Sequence, residues 1–186
     1  MSLLDRSCRN NAVPSYAFFG LFVECIGLNE APELPATVLA EGCYAYMFYG
    51  CTSLKKAPAL PAIVMAKGCY ACMFSGCTSL IEVPVLPATE LADMCYRHMF
   101  SGCTSLAESP DLPATKMAEE CYSAMFFGCT NLNYVKVLFT DEPSRYTTNN
   151  WFFDVDSKGT FVKSKDATWN IRGSSGIPEG WTVITE

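Results

Sequence analysis

The feature that most constrains this chain is an unbroken repeat of 26 residues. Cys25, Cys51, Cys77, Cys103 and Cys129 recur at that interval, as do Leu28, Leu54, Leu80, Leu106 and Leu132. Tyr44, Tyr70, Tyr96 and Tyr122 make a third column, and the Met-Phe pairs beginning at Met47, Met73, Met99 and Met125 a fourth. One such unit has no second layer against which to bury its apolar face, and stacked neighbours supply that layer. A period of this length with fixed apolar positions therefore specifies a solenoid.

Within a unit, residues 89–100 (TELADMCYRHMF) place Leu91, Ala92, Cys95, Met99 and Phe100 where one face of a helix of about three turns would fall. Thr37, Thr89 and Thr115 read as N-caps of that helix, and Gly50, Gly76, Gly102 and Gly128 as left-handed residues that stop it. The segment 54–60, LKKAPAL, is too short and too rich in proline for a helix and reads as a strand. Pro32, Pro58, Pro84 and Pro110 remove one donor per unit, so the ladder between units is expected to be only a few residues wide. The expected fold class is α/β, a solenoid of 26-residue strand-helix units.

Three regions follow. Residues 1–24 form a degenerate N-terminal capping unit, in which Leu21-Phe22 aligns with Met47-Phe48 and Phe18 with Tyr44. Residues 25–140 carry the repeats, in units starting at 25, 51, 77 and 103 with a partial unit at 129. The partial unit continues as a strand, YVKVLF at 134–139, where Lys136 takes the place of the proline. Residues 141–186 form a non-repeat C-terminal capping module, with a short helix expected over 148–153, a strand over 160–162, and Trp151, Trp169 and Trp181 as its bulk. Such a module would cover the last unit, whose apolar end is otherwise open to aggregation.

Charge and cysteine usage narrow the function classes. The formal net charge of −6 comes from scattered carboxylates with no basic stripe, which argues against a nucleic-acid partner. No apolar run is long enough for direct insertion in a bilayer, and the N-terminus, MSLLDRSCRNN, lacks the apolar core of a signal peptide. Nine of the eleven cysteines fall in two columns, the one named above and Cys43, Cys69, Cys95 and Cys121. Neither column offers a full set of disulfide distances, so both read as buried free thiols acting as small apolar residues.

Each candidate for chemistry can be compared with its own column. His98, the lone histidine, stands in a column that reads Tyr46, Cys72, His98, Ala124, the mark of a tolerant surface position. Cys69-Tyr70-Ala71-Cys72 has redox-motif spacing, but Cys72 occurs in one unit only. Asp154-Val155-Asp156-Ser157-Lys158-Gly159 starts like a calcium loop, yet Lys158 and Lys165 occupy ligand positions. No catalytic residue, metal site or cofactor is read, and the chain is not expected to be an enzyme. The tyrosine column reads as packing, with its hydroxyls at the edge.

The strings MFSGCTSL at 73–80 and 99–106 resemble the aromatic-x-x-Cys-x-x-Leu core of the BspA-like, or Treponema pallidum-type, leucine-rich repeats of bacterial surface proteins. The tail GTFVKSKDATWNIRGSSGIPEGWTV at 159–183 resembles the C-terminal module of such proteins in Bacteroides-like gut anaerobes. The resemblance covers residues 18–186. It implies a leucine-rich-repeat solenoid, an extracellular or cell-surface location, and binding of a protein ligand such as an extracellular-matrix, plasma or other surface protein.

Recognition is expected in columns that vary while the frame stays fixed. These are Lys55, Ile81 and Ala107, then Lys56, Glu82 and Glu108, then Ala59, Val85 and Asp111, all flanking the strand. The expected function is a non-catalytic, adhesin-like protein-binding module. The alternative is a structural spacer or terminal cap of a larger surface protein with no ligand of its own.

Overall fold

The structure, a computed structural model, describes residues 13–186. Residues 1–12 of the expected N-terminal capping unit lie outside them. The chain winds in 26-residue coils that stack in register, and the backbone bonding shows why no helix forms among the described residues. The amides of Tyr44, Tyr46 and Phe48 donate to the carbonyls of Cys69, Ala71 and Met73 in the next coil at 2.8–3.0 Å. The alternate amides of Ala45, Met47 and Tyr49 donate three residues back, to Gly42, Tyr44 and Tyr46. A helix would commit every amide to the carbonyl four residues back, leaving none for a neighbouring coil.

This overturns the expected α/β class and its strand-helix unit. The backbone enters the left-handed region at every fourth residue, at Gly42, Tyr46 and Gly50 in one coil and at Gly68, Cys72 and Gly76 in the next. Side chains then follow a period of four, two in and two out: Cys43, Tyr44, Met47 and Phe48 are buried, while Tyr46 and Tyr49 are exposed. The spacing of Leu91, Ala92, Cys95, Met99 and Phe100 fits that period. In a 3.6-residue helix, positions eight apart are offset by about 80° and the stripe would wander.

The cap assignments change with it. Gly50, Gly76, Gly102 and Gly128 are left-handed as expected, but within a run of turns and not at a helix end. At the threonine column the carbonyl does the bonding: that of Thr37 accepts the amides of Ile63 and Val64, and that of Thr89 accepts those of Thr115 and Lys116.

Proline controls the extended side of each coil. Where it is present, pairing shrinks to isolated parallel bridges such as Lys56↔Glu82. Where Lys136 restores the donor, a four-residue strand forms, β1 (Tyr134–Val137). It pairs in parallel with β2 (Thr160–Lys163), which pairs with β3 (Thr182–Thr185), in the order β1-β2-β3. The helix expected over 148–153 is absent; Tyr122, Ala124 and Phe126 instead donate to the carbonyls of Thr147, Asn149 and Trp151. The C-terminal module thus stacks directly on the last repeat.

Two aromatic ladders fill the interior. Phe18, Tyr44, Tyr70, Tyr96 and Tyr122 stack with ring centroids 5.6–6.0 Å apart. Phe22, Phe48, Phe74, Phe100, Phe126 and Phe152 stack at 5.5–5.8 Å. The tail extends the core with Trp151, whose indole N–H donates to the Gly176 carbonyl at 2.9 Å, and with Trp181, whose N–H donates to that of Asp156 at 2.7 Å. The buried Lys163 ammonium donates to the carbonyl of Trp169. Beside the ladders run the cysteines, free among the described residues. The thiols of Cys51, Cys77, Cys103 and Cys129 donate to the carbonyls of Phe22, Phe48, Phe74 and Phe100 at 3.0–3.2 Å.

Two predictions follow from this interior. Gly102 has φ of +72° with only ordinary contact waiting for a Cβ, so Gly102→Ala should lose roughly 1–2 kcal/mol through backbone strain alone. Gly27 has open space and no positive φ, and Gly27→Ala should cost nothing by the same denaturant titration. Burial pushes the thiols of Cys43 and Cys51 up to about 11 and that of Cys69 up to about 12, from an ordinary 9.0. Their contribution is complete below pH 9 and is lost as pH rises toward the folded values, because only the unfolded thiols ionise in between. Each should remove about 1.4 kcal/mol per pH unit in that window, so unfolding midpoints should be flat from pH 6 to 8.5 and fall steeply above about 9.

Candidate functional site

Two surfaces present side chains that the interior does not use. The first is the strip beside the short bridges. Lys55, Lys56, Ala59, Ile81, Glu82, Val85, Ala107, Glu108 and Asp111 are all exposed. The stack sets them in adjacent columns: the amides of Ile81 and Glu82 donate to the Lys55 carbonyl, and those of Asn133 and Tyr134 to that of Ala107. Val85 is 80% and Ile81 58% exposed, while Leu80 of the same coil and Leu54 and Leu106 of its neighbours are fully buried. Between Val85, Pro110, Asp111 and Leu138 the strip dips into a hollow of about 490 Å³. Lys56 and Glu82 pair across coils at 2.7 Å, and both side chains are more than half exposed. Water screens such a pair, so it shapes the strip's charge more than the fold's stability.

The second surface lies over the turn-rich segments of the first four coils, where a hollow of about 790 Å³ opens. Its shape comes from column order. One column runs Tyr16, Gly42, Gly68, Met94, and its neighbour runs Phe19, Ala45, Ala71, Arg97. Large residues at the first and fourth coils flank small residues at the second and third, and the open floor lies at Gly68 and Ala71. Gly42 is required at the second coil, because the Tyr16 ring occupies the space a Cβ would need.

Aromatic rings form one end of the hollow. Phe19 lies 5.3 Å from Tyr46, and Tyr46 lies 5.8 Å from Tyr49, each pair tilted. The Tyr16 hydroxyl donates to Glu41 Oε1 at 2.8 Å. At the other end Arg97 pairs with Glu120 at 3.2 Å. Burial, with Arg97 alongside and Glu120 in partial opposition, lowers the His98 pKa. This imidazole makes no side-chain hydrogen bond among the described residues.

The varying column Tyr46, Cys72, His98, Ala124 therefore belongs in part to a shaped surface. The sequence signal for it was available: that column varies within a fixed frame as the strand-flanking columns do, and the large-small-small-large order of its neighbours is visible at the 26-residue interval.

The other candidates separate. Cys69 belongs to the core while Cys72 lines the hollow, so the C-x-x-C spacing does not bring two thiols to one face. Burial raises both thiol pKa values; at Cys72 the Tyr46 hydroxyl and Arg97 offset part of the rise. In the aspartate-rich loop the Asp156 carboxylate accepts the Lys158 amide at 3.0 Å, closing a turn. No group of three or more metal-ligating side chains occurs among the described residues.

No protein-family model, curated protein or solved structure matches this chain. Among the described cysteines only Cys25 is exposed. Native protein treated with iodoacetamide near neutral pH should accordingly be modified at Cys25, with Cys72 and the buried members of the two columns labelled only after unfolding; peptide mapping by mass spectrometry reads both sets.

Proposed function

We propose that the chain is a non-catalytic protein-binding module, displayed at the cell surface or secreted, that recognises its partner through the strand-flanking strip. The observation that carries this reading is the exposure of Ile81 and Val85, two large apolar side chains held outward on a frame with backbone bonds at every coil. Apolar anchors of this kind, ringed by charges such as Lys55, Lys56, Glu82 and Asp111, form the usual centre of a protein interface. The frame is ordered before binding, so little entropy is lost on docking. The MFSGCTSL strings support the same reading through their resemblance to BspA-like surface proteins, whose ligands are matrix and plasma proteins.

A second reading rests on the Lys56–Glu82 pair, which neutralises part of the strip from within. A strip satisfied by its own charges suits a spacer in a larger surface protein.

Surface-plasmon-resonance binding to a panel of extracellular-matrix and plasma proteins separates the two. Saturable binding that weakens about tenfold in Lys55→Glu, Lys56→Glu and again in Val85→Asp supports recognition by the strip, since tenfold corresponds to about 1.4 kcal/mol, the worth of one good anchor. Binding that all three substitutions leave unchanged would overturn the assignment to this strip, and a silent panel favours the spacer.

A further inference from the structure

We infer that the hollow over the turn-rich segments is a binding site for a neutral glycan, with a pyranose ring seated against Phe19, Tyr46 and Tyr49. It uses none of the strip residues and stands independently of the protein-binding reading.

Shape is the first ground. The Tyr16 ring lies over Gly42 and Ala45 is buried, so Gly68 and Ala71 of the third coil form the open floor between an aromatic end and the Arg97 end. With neighbouring coils about 4.8 Å apart, the gap from the second coil to the fourth across this floor is roughly 10 Å, the scale of about two sugar rings. The second ground is the aromatic end. Tyr16 and Phe19 are more than half exposed, and Tyr46 and Tyr49 more than a third, so this tilted cluster keeps aromatic surface in solvent that the C–H-rich face of a pyranose can cover.

The third ground is the backbone. Around the floor the amides of Gly42, Tyr44 and Tyr46 are bonded to the next coil, and those of Ala45 and Met47 close turns. No free edge remains on which an extended peptide could add a strand. Recognition must come from side chains, which suits a ligand that carries its own hydroxyls. Charge is the fourth ground. The lining carries one carboxylate, Glu41, and one ammonium, Lys67, while Arg97 is paired with Glu120 just outside it, so no strong net charge faces the hollow. Glu41, Lys67, Ser75 and Ser101 then serve as hydrogen-bond partners for an uncharged, hydroxyl-rich molecule.

The test is isothermal titration of the full chain with neutral hexasaccharides of glucose, mannose and galactose in α and β linkages, with decaproline as the peptide control. The expected result is saturable binding of at least one hexasaccharide that weakens about tenfold in Phe19→Ala, an exposed position, and in Ala71→Trp, which fills the floor. Lys55→Glu, Lys56→Glu should leave it unchanged, as should raising the salt from about 0.05 to 0.5 M, because screening does not act on an uncharged ligand. Should Ala71→Trp fail to fold by circular dichroism, Phe19→Ala alone decides. Failure of every hexasaccharide, binding indifferent to Phe19→Ala, or binding of decaproline with no sugar bound would overturn the assignment.

Discussion

Everything in this molecule depends on the hydrogen bond that every second amide sends to the next coil. Tyr44 to Cys69, Tyr70 to Cys95, Tyr96 to Cys121 and Tyr122 to Thr147 are one line of such bonds, running from the repeats into the C-terminal module. The intervening amides close three-residue turns inside their own coil, so the backbone is satisfied without helix and with little sheet. The left-handed conformation at every fourth residue makes this possible. Where that residue is Tyr46, Cys72 or His98 and not glycine, the strain of roughly 1–2 kcal/mol each must be offset by stacking.

Stacking supplies that offset through identity of the inward side chains. Coils in register place tyrosine on tyrosine and phenylalanine on phenylalanine, nearly parallel, with interplanar angles of 3–12° along both ladders. Cysteine suits the space beside the rings because it is small, and its thiol adds a second donor to a carbonyl that already accepts an amide, as Cys77 does at Phe48, whose carbonyl also accepts the Cys51 amide. The same burial makes the thiols a liability at high pH.

The frame leaves its outward positions unconstrained, and two surfaces use that freedom differently. Along the bridges the exposed columns hold charges and two large apolar side chains in a strip that dips beside Val85. Over the turns a change of residue size from coil to coil makes a hollow with an aromatic end. A stack is suited to this, since substituting one outward residue alters the surface without disturbing the bonds beneath it.

The sequence by itself determined the 26-residue interval, the inward columns and the narrowing of the ladder by proline, because each depends on side-chain pattern or on a missing donor. It also determined the strand at Tyr134–Val137, where Lys136 returns that donor. Only the tertiary structure decided that the segment between Gly42 and Gly50 is a run of turns and not a helix. Offsets of zero, one, four, eight and nine are close to both periods, and the choice rests on bonds between residues a full coil apart, which local propensity does not encode. The hollow lies between the two cases: its order of large and small residues stands in the sequence at the 26-residue interval, but Tyr16, Gly42, Gly68 and Met94 become one surface only when four coils stack.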